Sequence, residues 1–442
     1  MYISMNRIGK IGTSLLTALL GFSTGTGEPL KKGSFFLGGI QVNEPNHEQW
    51  VSSLREQGMN TVSVTVYANQ GVWNKSDLYY EDEDTGALSE IRTAKNDGLN
   101  VVFIPRVALD QAYPENHQLW HGMIMPKTEA DLRKWFKTYQ DYLYKWAKIA
   151  EEEGVEIYAI GSELKALTHT FYDDPSAILS EKSAFNSWYT GLSEKVSQAS
   201  GNESAVEQYH QDVITKSEAY FKWGQETYGK DPLDVTAVQE RRELLFELWE
   251  ETIKGVREHY SGLLTYACNF DTYQNNALWP LIDIMGINAY FQLRPDASKP
   301  YNQLELNQSW IETMEGIRVF KQENNIAEQP LFFTELGYTF RKDSSVEPWS
   351  YSGKSVIEFD EVPTLIEWEK QPIDYQERLA CLKALKNAVQ LPENSFFRGL
   401  LYWKLSTYME HEEIEPFDMH IGDGTVDPAL EPLKTMFNHI EK

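Results

Sequence analysis

The chain of 442 residues carries 66 acidic against 40 basic side chains, a formal net charge of −26. That balance argues against a nucleic-acid partner, because displacing the counterions of a phosphate backbone takes clustered Lys and Arg. A hydrophobic fraction of 41% is ample for a large core and argues against a disordered chain. The 13 Trp and 24 Tyr supply flat apolar faces with polar tips, on which sugar rings can stack, although core packing is the ordinary use of most of them.

In chain order, the first ten residues carry Arg7 and Lys10, an apolar run fills 11–22, and small polar residues follow at 23–27. This order predicts a secretory signal peptide over 1–27, too short in its apolar part to span a bilayer, and hence a secreted or periplasmic protein. From residue 34 onward, short apolar runs alternate with charged amphipathic stretches. The predicted strands are 35–40, 61–66, 101–107, 156–160, 263–269, 282–290, 331–335 and 399–403. Their β-rich composition suits buried parallel strands. Amphipathic segments at 48–57, 130–153, 245–259, 308–322 and 375–389 predict helices between them. Eight strands alternating with helices predict an α/β fold, a (β/α)8 TIM barrel spanning 34–442. An open doubly wound sheet is the alternative, but no Gly-rich phosphate loop follows the first strand. Gly58, Gly98 and Gly154 each precede a predicted strand and suit left-handed helix caps.

One connection is out of proportion. About 100 residues separate the fourth strand from the fifth, and the excess, about 168–239, is charged, helical in composition and broken by Pro175, Gly191, Gly201 and Pro232. Leaving the C-terminal end of a barrel strand, it is expected to overhang the active-site face as a helical insertion; a partner-binding role is the alternative.

The two cysteines, Cys268 and Cys381, lie in apolar runs and read as core residues, and the nine His show no metal-ligand spacing. No metal or cofactor is expected. Carboxylates are different. In a barrel, chemistry sits where strands end, on the C-terminal face. Glu163 follows the apolar run 157–160 after Gly161, and Glu335 closes the run 331–334. A charge at the end of a buried strand needs a partner or a function. A pair of carboxylates is what glycosidic-bond cleavage requires, one to protonate the leaving oxygen and one to attack or to activate water.

The motifs around these residues resemble glycoside hydrolase family 113, a clan A family of barrels acting on β-mannans. They are GMNTV from Gly58, GLNVV from Gly98 with Pro105, GSEL from Gly161, LTYACN from Leu264, DIMGINAYF from Asp283, and FTELGY from Phe333 with Pro348 and Trp349 downstream. The resemblance implies a retaining mechanism with Glu163 as acid/base and Glu335 as nucleophile, about 5–5.5 Å apart. Those roles would have Glu163 protonated and Glu335 ionised. The substrate implied is β-1,4-mannan, cleaved internally. The same chemistry on glucan, xylan or a marine polysaccharide, and a barrel that binds carbohydrate without cleaving it, are the alternatives.

Strand alternation puts Asn288 and Tyr290 on one face of the sixth strand, and similarity to clan A lets Tyr290 hydrogen-bond Glu335. Asn269, ending the fifth strand, could bind a sugar hydroxyl. Trp403 is a candidate stacking floor, and Arg106 could bind a hydroxyl or steady a carboxylate. Tyr67, Trp120 and Trp349 are candidate subsite walls. Asn43-Glu44-Pro45 spells a motif often found around the clan A acid/base, but it follows the first strand, and Glu44 is expected to be a helix N-terminal carboxylate. Ser162 stands where most clan A families place Asn, and Phe270 where the closer family suggests Trp. The expected partner is a polysaccharide or oligosaccharide, with no nucleic acid and no membrane span; the sequence assigns no oligomeric state.

Overall fold

The computed structural model describes residues 35–41, 44–81, 85–116, 119–168, 215, 222, 234–350, 354–359, 362–367, 371–408, 415–422 and 427–437. The signal peptide over 1–27 and nearly all of the 168–239 insertion lie outside the described residues.

Eight parallel strands form one closed barrel: β1 (Phe36–Ile40), β2 (Thr61–Gln70), β3 (Asn100–Leu109), β4 (Ile157–Ser162), β5 (Leu263–Asn269), β6 (Ile284–Asn288), β7 (Leu331–Leu336) and β8 (Phe397–Trp403). Each pairs with its sequence neighbour, and β1 pairs with both β2 and β8, which closes the sheet. The fold is therefore the (β/α)8 barrel. Both faces of the strands are covered over most of their length, which is why they read as continuous apolar runs rather than as alternating ones. Residues pointing inward, among them Phe36, Ile40, Val102, Ile104, Ile157, Ile284, Phe332 and Leu401, make a small inner cluster. Outward residues join the much larger cluster under the helices.

The longer helices among the described residues are α1 (His47–Glu56), α2 (Thr85–Asn96), α3 (Glu129–Glu152), α4 (Val235–His259), α5 (Gln303–Glu323) and α6 (Tyr375–Val389). Side chains of Asn46, Thr128, Asp234, Asn302 and Asp374 accept from the first-turn amides of α1, α3, α4, α5 and α6, satisfying donors that have no intrahelical partner. Along α3, Trp135, Phe136, Tyr139, Tyr142, Leu143 and Trp146 recur at helical spacing and are buried. Gly58, Gly98 and Gly154 have φ of 77°, 75° and 68°, the left-handed turn that returns the chain to the next strand.

Two boundaries differ from the sequence reading. Helix α4 begins at Val235, inside the span assigned to the insertion and ten residues before the predicted start at 245, because Asp234 caps it there. The sixth strand is confined to Ile284–Asn288, so Tyr290 lies just beyond it. Between β5 and β6 the chain makes only two short 3-10 turns, Tyr273–Asn275 and Trp279–Leu281, and no helix. No helix among the described residues is long and apolar enough to cross a membrane. Cys268 and Cys381 are buried free thiols.

Candidate active site

The C-terminal end of the barrel gathers the polar residues. Glu163 is the first residue beyond β4, held at φ 55°, a backbone conformation uncommon for a residue with a Cβ. Its amide donates to Ala267 O at 2.9 Å, and the next amide, Leu164, donates to the Tyr266 hydroxyl at 2.8 Å, so β5 fixes the strained turn. The Glu163 carboxylate then meets three side chains. Oε1 accepts the Nδ2 amides of Asn269 and Asn288, each at 2.9 Å, and Oε2 lies 3.0 Å from His121 Nε2.

Glu335 sits within β7 and is 5% exposed. Its Oε1 accepts from the buried guanidinium of Arg106 on β3, and its Oε2 accepts from the Tyr290 hydroxyl at 2.9 Å. Asn288 ties Glu163 to β7. It donates to Glu163, accepts from the Thr334 hydroxyl at 2.7 Å, and lies opposite Glu335 in the β6–β7 register. Gly337 is required at this crowded point: a Cβ there would lie 2.5 Å from Trp403 O and 3.3 Å from the Tyr290 ring.

The electrostatics run opposite to the order the proposed roles would need. Burial works to raise the Glu163 carboxyl, but the hydrogen bond and charge of His121, then Arg106 and Asn288, outweigh it and hold Glu163 below its ordinary value. Burial raises Glu335; the Arg106 guanidinium opposes this, while repulsion from Glu163 adds to it. In the free site His121 thus favours charge on Glu163, and that charge disfavours ionisation of Glu335.

The remaining residues named from sequence separate by depth. Seven Trp are buried in the core, whereas Trp120, Trp349 and Trp403 remain at least partly open among the described residues, which is what a sugar-stacking role requires. Trp403 packs against the inner cluster, with the Arg106 guanidinium 5.9 Å from its ring centroid and a cis peptide to Lys404. Trp349 stacks on Phe270 at 5.2 Å with an interplanar angle of 19°. Trp120 meets His121 edge-on at 5.1 Å. Tyr67 lies beside Arg106 in the β2–β3 register and is 52% exposed. Asn269, Asn288 and Arg106 point at carboxylates.

Glu44 does not serve the helix N-terminus, which Asn46 caps. Its buried carboxylate instead accepts from Thr407, the amide at 2.8 Å and the hydroxyl at 2.7 Å, tying the segment after β1 to the segment after β8. Sequence reasoning missed His121 and Thr334. The first sits in a loop whose course no periodicity reveals; the second could have been found from its position beside Glu335 in β7.

Among described residues, no group of three His, Cys, Asp or Glu side chains is arranged to hold a metal ion. The model of Glycoside Hydrolase Family 113 matches residues 39–246 and 235–368. No curated protein matches the chain. Among solved structures, the GH113 β-mannanase AaManA from Alicyclobacillus acidocaldarius, in complex with ManMIm, is 17% identical with a TM-score of 0.57, covering 93% of this chain and 99% of that one. A structure described as a GH113 β-1,4-mannanase is likewise 17% identical with a TM-score of 0.57, covering 91% of this chain and 99% of that one. At these identities the likeness speaks for the barrel.

Proposed function

We propose that this chain, which belongs to Glycoside Hydrolase Family 113, is a retaining β-glycosidase that cleaves β-1,4-mannan internally, with Glu335 as nucleophile and Glu163 as acid/base. The observation that carries this reading is the linkage of the two carboxylates. The side chain that holds Glu163, Asn288, is the strand partner of Glu335, and Arg106, whose charge acts on both, is bonded to Glu335. Retention needs two close carboxyls with no water between them.

The roles are those the family resemblance implies, and the partners of Glu335 suit a nucleophilic carboxylate. Arg106 cannot lose its charge, and with Tyr290 it gives Glu335 two donors suited to a carboxylate. An ionised Glu335 can attack the anomeric carbon while Glu163 gives its proton to the departing glycosidic oxygen; water then releases the sugar and returns a proton to Glu163. Mannan as substrate is supported by the family and by what the solved relatives are described as acting on.

The test is a screen of the purified protein on mannan, glucomannan, xylan and β-glucans, with product anomers followed by NMR. Retention on mannan is the expected result. Initial release of the inverted anomer would overturn the mechanism, and preference for another glycan would overturn the substrate. Glu335→Ala is expected to abolish turnover; full activity in that variant would remove it from the role of nucleophile.

A further inference from the structure

The two oxygens of Glu163 are not equivalent. Oε1 receives two amide N–H groups, from Asn269 and Asn288, and the Asn288 amide is oriented by Thr334, whose hydroxyl donates to its Oδ1. An oxygen already crowded by two donors has no acceptor nearby for an O–H of its own. When Glu163 is protonated, its proton therefore belongs on Oε2, the oxygen 3.0 Å from His121 Nε2.

We propose that His121 is the positioning residue of the acid/base: it marks Oε2 as the proton-carrying oxygen and controls the pH at which that proton is lost. This rests on Glu163 acting as the acid/base. The imidazole can do so in two ways. Neutral and protonated on Nδ1, it accepts from Oε2–H; carrying a proton on Nε2, it donates to the carboxylate. It is presented by the turn His121–Met123, which packs on the short helix Lys165–Thr168 directly after Glu163, so imidazole and carboxyl are held by adjoining elements. Trp120 supports the ring edge-on.

The other titratable groups around the pair have their own partners or burial. Arg106 is bonded to Glu335, Glu335 also accepts from Tyr290, and Tyr67 lies beside Arg106. Lys165 is 3.7 Å from Asp271, and Cys268 is a buried thiol. His121 is the group in direct contact with Oε2. Over the cycle it gains and loses nothing: the proton given by Oε2 to the leaving oxygen is replaced from the attacking water.

The experiment compares the full chain with its His121→Phe and His121→Gln variants. Phe keeps a ring against Trp120 without a donor; Gln keeps an N–H without a charge. Glutamate labelled with 13C at the side-chain carboxyl gives a titration readable without substrate, the Glu163 signal being assigned by its loss in Glu163→Gln. The Glu163 titration is expected to move upward in the Phe variant and less in the Gln variant. The alkaline limb of kcat/KM should move the same way for a substrate with a poor leaving group. For a dinitrophenyl glycoside, whose leaving group needs no proton, the alkaline limb of kcat/KM should not follow the Glu163 titration in either variant. An unchanged Glu163 titration in both variants overturns the proposal. A shifted titration in a protein that cleaves none of the glycans supports the His121–Glu163 coupling while removing the proposed function.

Discussion

Tyr290 shows how much a single group at this site is asked to do. Its hydroxyl donates to Oε2 of Glu335, a buried carboxylate whose other oxygen is held by Arg106. A hydrogen bond to a charged group is worth roughly 1.5–3 kcal/mol, and each ~1.4 kcal/mol of transition-state stabilisation is tenfold in rate. Tyr290→Phe should therefore lower kcat/KM by about 10–100-fold without unfolding the barrel. Steady-state kinetics beside a thermal melt separate the two, and a variant with unchanged kinetics would show that Arg106 alone orients the carboxylate. Residues of this kind differ in how far sequence exposes them. Glu163 and Glu335 stand out because an acid ending an apolar run has no cheap structural explanation. His121 does not stand out, because it reaches Glu163 from a loop whose path is set by packing on the helix after β4. Glu44 misleads for the same reason, its partner Thr407 lying 363 residues away in sequence.

At the scale of elements, the barrel was legible because each strand keeps its apolar run and three of the returning turns a left-handed glycine, and both are local properties. What was not legible is how loops on the site face are pinned. Helix α6 carries Glu377 in its first turn, with no exposed surface. Its carboxylate accepts from Arg294 at 3.0 Å, the Ser345 hydroxyl at 2.6 Å and the Asp343 amide at 2.7 Å. Arg294 also bonds Asp343 at 2.8 Å. One helix residue thus fastens the segment after β6 to the segment after β7, the one that leads on to Trp349. Removing one partner of a buried ion pair leaves the other desolvated and unpaired, so Glu377→Ala should cost about 3–5 kcal/mol. Denaturant unfolding measures this cost, and a loss below ~1 kcal/mol would mean that Arg294 is satisfied by Asp343 alone. No sequence period announces such a cluster, since its members come from three segments joined only in the folded barrel.

Closing the barrel brings β8 against β1 and buries the residues that follow β8, with a consequence for the stability of the whole molecule. Asp418 is 1% exposed, with Lys404 Nζ at 3.8 Å and the Ser406 hydroxyl at 3.1 Å. Burial pushes its carboxyl up to about 7, the charge of Lys404 and the Ser406 hydrogen bond only partly opposing, with Glu415 and Glu44 adding repulsion. The unfolded chain would release this proton near the ordinary Asp value of about 3.9. Between those two values the native state holds more protons than the unfolded one, so stability falls as pH rises and levels off above about 7. At about 1.4 kcal/mol per unit, the loss is at most on the order of 4 kcal/mol. Asp418→Asn keeps the shape and removes the titration. It should match the native protein near pH 4, where Asp418 is protonated, and exceed it in stability by a gap that widens up to about pH 7 and is then constant. Unfolding by urea at pH 4, 5.5 and 8 reads that gap directly. A gap that stays the same at all three would mean that Lys404 holds Asp418 ionised throughout, and that the junction after β8 contributes nothing to the pH dependence of the fold.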